Sequence, residues 1–173
     1  MSRVIKWLIA AQAVFAAGVT IGGFSAVRTA PELLYDYFAG LSSGEISILT
    51  GTAVISALVM WSVLFFSAFF KFGGVTVAAV VAMRGFVDGF SVTAILRILG
   101  FGGIGMCFLD ILGAPMIILM SAAVMCSLTS GKNSMTAYLA VSGLCLLLIL
   151  GATLLSSALA GTLVKSVMEG INF

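Results

Sequence analysis

The chain has no histidine, only two prolines and three cysteines, and very little charge: eight basic and six acidic residues in 173. Each shortage excludes something. Without histidine, the commonest general base and the commonest metal ligand are missing, and the scattered serines and threonines have no imidazole to activate them. The sequence therefore predicts no catalytic residue, no metal site and no cofactor. Cys107, Cys126 and Cys145 are odd in number and lie inside apolar stretches, so they read as small core hydrophobes and not as a disulfide framework. Charged residues make up 8% of the chain, against about 25% in a soluble globular domain, which is too few to coat a water-facing exterior. The net charge of +2 comes with no basic run, so nothing can track a phosphate backbone and nucleic acid is not an expected partner.

What is present is apolar: 62% of the residues are hydrophobic. A helix that crosses a bilayer needs about 20 mostly apolar residues, because every backbone N–H and C=O in hydrocarbon must be paired internally. Five stretches meet that need, at about 4–24, 46–70, 75–99, 106–129 and 135–164. The predicted fold is all-α, a polytopic transmembrane bundle of about five spans forming one domain over residues 1–173. The first run follows Arg3 and Lys6 as a signal peptide would, but it is long and no small-x-small cleavage site follows it, so it reads as a retained span.

The one sizeable polar connection, residues 25–45, has an order of its own. Thr29 and Glu32 stand at capping-box spacing with Pro31 in the first turn, which predicts a helix start. Leu33, Leu34, Tyr37, Phe38 and Leu41 then form a stripe opposite Glu32 and Asp36, the pattern of a short helix lying on the membrane surface. Ser42 and Glu45 repeat the capping spacing before the second span. With the amino terminus inside, Arg3, Lys6, Lys71 and Lys132 face the cytoplasm and Arg28, Arg97 and Lys165 face outward. Four against three favours that orientation, because basic residues in short connections stay inside. The surface helix is then extracytoplasmic.

The candidate functional residues lie in and after the third span. Arg84 and Asp88 sit mid-span four residues apart, an advance of about 400°, so they share a helix face and can pair. A lone charge at that depth costs about 2.5–3.5 kcal/mol on insertion scales. The pair either lines a cavity or docks a partner helix, or it fixes how its own span packs. Gly85 and Gly89 interleave with it, and Gly18 and Gly22 repeat the same spacing in the first span. Small-xxx-small spacing lets helix backbones approach closely, so the two spans are expected to meet, within one chain or between copies. Gly100, Gly102, Gly103 and Gly105 form a break that reads as a hinge or re-entrant turn. With no strand before it, the break is not a nucleotide loop. Asp110 and Pro115 follow and mark a polar break or a kinked fourth helix, since proline frees backbone carbonyls. Asp88 and Asp110 could pair as an aspartyl protease dyad, but the Tyr-Asp and Gly-x-Gly-Asp surroundings of such enzymes are missing.

The stretch from residue 69 to 115 resembles the stage II sporulation protein M family. The likeness rests on Phe69-Phe70-Lys71-Phe72-Gly73-Gly74, Met83-Arg84-Gly85-Phe86-Val87-Asp88-Gly89-Phe90-Ser91, Gly100-Phe101-Gly102-Gly103-Ile104 and Leu112-Gly113-Ala114-Pro115. Ala114 and Met116 stand where members often carry leucine and a polar residue. The resemblance implies a multi-pass protein of the bacterial cell membrane without chemistry of its own. In sporulating cells, such a protein anchors two cell-wall hydrolases during engulfment, and members also occur in organisms that do not sporulate. Expected partners are thus membrane lipid and other membrane or cell-wall proteins, or a second copy of the chain. A reading from another class is the small membrane subunit of a transporter, although such subunits usually have six spans and a more polar pocket.

The topology has a direct test. Cysteine introduced at Glu32, with the native cysteines replaced, is expected to react with an impermeant thiol reagent on intact cells. Labelling seen only after lysis reverses the assigned orientation.

Overall fold

The computed structural model describes residues 3–33, 46–67, 69–70, 72–105, 107, 114–129 and 135–170. Five helices dominate it: α1 Arg3–Arg28, α2 Ile46–Ser67, α3 Gly73–Leu99, α4 Ala114–Thr129 and α5 Met135–Gly170. A 3-10 turn, Gly100–Gly103, follows α3, and no strand occurs among the described residues. The chain is all-α. Three of its helices, α1, α3 and α5, are long and apolar enough to cross a membrane. Large apolar side chains stand exposed along them, including Ile21, Met83 and Leu147, an arrangement that is stable where lipid and not water is the solvent. The apolar segments Ala53–Ser67 of α2 and Met116–Met125 of α4 are shorter.

The helix ends differ from the apolar runs for identifiable reasons. α1 continues a turn past residue 24, to Arg28. Ser25 folds its hydroxyl back onto the Ile21 carbonyl at 2.9 Å, which hides a polar group that would otherwise stop an apolar helix. Thr29, expected to open the next helix, donates its hydroxyl to the Ser25 carbonyl at 3.0 Å and so closes α1. Residues 31–33 are helical, while the remainder of the expected surface helix and the Ser42 and Glu45 pair lie outside the described residues. The Gly73-Gly74 pair, which lies between the apolar runs 46–70 and 75–99, begins α3. A Cβ at Gly73 would collide with the Ser67 carbonyl, so the α2–α3 corner closes tightly only without one.

α1 and α3 run parallel, in a steady register. Phe15 meets Gly85, Val19 meets Gly89, and Arg97 reaches Ala26. α2 and α5 run antiparallel, because the Trp61 indole N–H donates to the Ser142 carbonyl at 3.0 Å and the Tyr138 hydroxyl to the Phe65 carbonyl at 2.9 Å. Trp61 also stacks on Phe65, with ring centroids 5.2 Å apart. α4 packs against α1, α3 and α5. The core joins Leu64 of α2, Val77 and Val81 of α3, Ile118, Leu119 and Ala122 of α4, and Tyr138 and Ile149 of α5. Trp7, Ala11, Val14 and Phe15 of α1 close it from the side.

At the end of the parallel pair, one Nη1 of Arg97 donates to the carbonyls of Ala26 at 2.6 Å and Thr29 at 3.0 Å. The Ala26 carbonyl accepts only a long 3.3 Å bond from the Thr29 N–H, so it has capacity for the guanidinium, and a cation also opposes the negative end of the helix dipole. Arg97→Ala is expected to fray the last turn of α1. Hydrogen exchange at residues 25–29 should then rise at least several-fold while exchange at residues 10–20 stays unchanged; equal exchange in both proteins would show that the cap contributes nothing.

Candidate functional site

The site is a seam in which glycines bring two backbones together beside a buried ion pair. On α1, Gly18 lies against Ala82 and Phe86, and Gly22 lies against Phe86. On α3, Gly85 lies against Phe15 and Gly89 against Val19. At all four positions a Cβ would overlap backbone atoms of the facing helix. No rotamer change could relieve such a clash, because the obstacle is main chain. Any side chain there forces the helices apart and forfeits the van der Waals contact that holds helices together in lipid. Gly23 continues the seam, with the Thr93 hydroxyl 3.0 Å from where its Cβ would stand.

Arg84 and Asp88 occupy the same stretch of α3. Arg84 Nη2 lies 2.8 Å from Asp88 Oδ1, and Arg84 Nε donates to Asp88 Oδ2 at 3.2 Å. The guanidinium thus donates one hydrogen bond to Oδ2 and lies at ion-pair distance from Oδ1. Burial is unequal: the Asp88 side chain is 1% exposed and that of Arg84 is 18% exposed. The aspartate is sealed inside the bundle, while the arginine reaches it from the edge.

The glycine-rich break follows α3 at some distance. Twelve residues separate Asp88 from Gly100, or roughly 18 Å along a helix, so the break is not joined to the ion pair. Gly100 takes φ 56° and ψ −139° while its N–H donates to the Leu96 carbonyl, a conformation that only glycine adopts without strain. Gly102 and Gly103 complete the 3-10 turn, and Ile104 and Gly105 are helical. Among the described residues, nothing outside its own helix lies within 4 Å of where a Gly105 side chain would begin. Pro115 falls in the first turn of α4, where its missing N–H has no partner to lose. Residues 108–113, ahead of it, lie outside the described residues. Asp110 lies outside the described residues.

Three functional side chains escaped the reading of the sequence: Arg97, counted there only as a charge, and Trp61 and Tyr138. The available signal was an aromatic residue with a polar tip on an apolar helix, since such tips usually find a partner when buried. Among the described residues no group of three or more potential metal ligands converges.

No protein-family model, no curated protein and no solved structure matches the chain.

The unequal burial orders the consequences of breaking the pair. Arg84→Ala removes the counter-charge of a carboxylate in the interior, where breaking a buried pair typically costs about 3–5 kcal/mol. Asp88→Ala leaves an arginine that can turn toward headgroups or water, and so costs less. The double change to alanine removes both charges. Folded protein recovered from the membrane is expected to fall most for Arg84→Ala, less for Asp88→Ala and least for the double variant. Near-normal recovery of both single variants would show that the pair has no part in the fold.

Proposed function

We propose that the chain is a non-enzymatic integral membrane scaffold that crosses the bacterial cell membrane five times and recruits membrane or cell-wall proteins. The observation that carries this reading is how the intramembrane charge is used. Asp88 is buried and gripped by Arg84 inside a helix–helix seam, a use that fixes packing and presents no reacting group to a substrate. The alternation of helix directions supports five crossings, since α1 and α3 run one way and α2 runs opposite to α5. α2, at 22 residues, is about 33 Å long and matches a hydrocarbon core of about 30 Å. α4, at 16 residues, is about 24 Å long and needs part of the segment before it to complete a crossing.

The resemblance to the stage II sporulation protein M family gives the scaffold its candidate partners, peptidoglycan-cleaving enzymes. A transporter subunit is the rival. The cleft between α1, α3 and α4 is lined by apolar side chains, whereas a pocket that selects a polar solute combines an apolar wall with several placed polar groups.

Purification from native membranes separates the two. A scaffold is expected to co-elute with peptidoglycan-cleaving enzymes and, once isolated in lipid, to cleave neither peptide nor peptidoglycan. Co-elution with an ATPase and a tightly held small molecule would establish transport, and cleavage lost on changing Asp88 would establish catalysis.

A further inference from the structure

Arg84 carries more hydrogen-bond donors than Asp88 uses. A guanidinium has five N–H groups; Nε donates to Asp88 Oδ2, and Nη2 lies 2.8 Å from Oδ1. The two N–H groups of Nη1 have no acceptor among the described residues. They open at the edge of the bundle, where 18% of the side chain is exposed. α3 runs from Gly73 to Leu99, which places Arg84 roughly 16 and 22 Å from its two ends, and half the hydrocarbon core is about 15 Å. The unused donors therefore lie deep in the membrane. A free arginine would snorkel toward the headgroups, but this one is held by a carboxylate that is itself sealed. The same face carries a second unused polar group. Ser91 stands within about 20° of Arg84 around the helix axis, two turns on, and is half-buried. Its hydroxyl makes no hydrogen bond among the described residues, whereas those of Thr20, Ser62 and Thr153 fold back onto carbonyls of their own helices. Between Arg84 and Ser91 lies Val87, which is 42% exposed, with Met83 beside it at 67%.

We propose that this face of α3 is an intramembrane docking site for one transmembrane helix of another protein, which sets an uncharged side-chain oxygen against Arg84. The site rests on the scaffold reading and says where a recruited membrane protein is held. Complementarity selects the occupant. An N–H without an acceptor is strongly unfavourable in hydrocarbon, and lipid offers its oxygens only at the surface, so an acceptor reaches this depth on a helix. It is uncharged because Arg84 and Asp88 already balance each other, and a further carboxylate would leave a net negative charge in the bilayer. A second copy of the chain fits poorly. Across a two-fold axis normal to the membrane the same residues face each other, and Arg84 would meet Arg84, donor against donor. Arg84, Val87 and Ser91 stand three and four residues apart, the spacing that packs one helix into the groove of another. Val87 and Met83 supply the apolar contact, and Ser91 supplies a second polar bond.

The test uses the full-length protein in phosphatidylcholine vesicles at high lipid excess and two synthetic transmembrane peptides, one all leucine and one with a single glutamine at its centre. Energy transfer from a dye on the protein to a dye on the peptide reports association. The glutamine peptide is expected to associate about fivefold more strongly than the leucine peptide, the gain that one interhelical hydrogen bond confers in lipid. Val87→Trp blocks the face from its exposed rim and leaves the ion pair in place, and is expected to remove that preference. The double change of Arg84 and Asp88 to alanine is expected to remove it as well, with thermal melting used to select protein that remains folded. Equal association of the two peptides with the unaltered protein overturns the site, and a preference that survives both variants overturns its placement on α3. Energy transfer between two labelled copies of the protein, lost in Val87→Trp, would make a second copy the occupant and overturn the assignment to another protein. None of these outcomes touches the scaffold reading, which co-purification decides.

Discussion

Everything else in this bundle depends on the contact between the backbones of α1 and α3. Water is absent from the hydrocarbon core, so apolar surface gains nothing there by leaving solvent, and helices are held by close packing and by the few polar bonds they can make. Gly18 and Gly22 on one helix and Gly85 and Gly89 on the other reduce the separation until main chain touches main chain. Because the two helices run parallel, contact is maintained turn after turn, from Phe15 to the Arg97 cap at the end of α1. α2 then packs on α3, α4 lies against both α1 and α3, and α5 joins through α2 and α4, around Val77, Val81, Ile118 and Ile149.

Polar groups are rare in the bundle, and each is used at a place where hydrocarbon gives no alternative. Arg84 and Asp88 form an ion pair within one helix, so α3 carries both charges into the bundle together. Arg97, Trp61 and Tyr138 do the opposite. Each crosses to a different helix and ends on a backbone carbonyl, which fixes the direction and register of its partner. Ser25, Thr20 and Ser62 return their hydroxyls to carbonyls four residues earlier in their own helices and place no demand on their neighbours. The polar side chains thus divide into those that hide locally and those that tie the helices together.

That division bears on function. A transporter or an intramembrane enzyme keeps some polar groups available to a solute or a reacting atom, at a site where irregular backbone lines a cavity. Here the glycine-rich turn after α3 lies well away from the buried aspartate, and the cleft between α1, α3 and α4 is apolar. The proposed scaffold role rests on this use of the described polar groups. The chain's exposed apolar side chains, such as Ile21, Met83 and Leu147, suit a surrounding of lipid.

How much of this could be read beforehand depends on the range of the interaction. Composition alone decided that the chain is helical and apolar, since eight basic and six acidic residues cannot coat a soluble fold. Local spacing placed Arg84 and Asp88 on one face, because a helix turns by a constant angle. Helix ends were less legible: α1 and α5 outran their apolar runs. Those limits are set by caps and packing that come from other segments. Small-xxx-small spacing signals a close approach but leaves open whether the partner is in the same chain, in which direction it runs and in what register. Only the tertiary structure decided that α1 and α3 are the two halves of one parallel seam, that Arg97 caps a helix some seventy residues before it, and that Asp88 is sealed while Arg84 is not. Each of these facts is a relation between distant residues, and a local pattern cannot contain one.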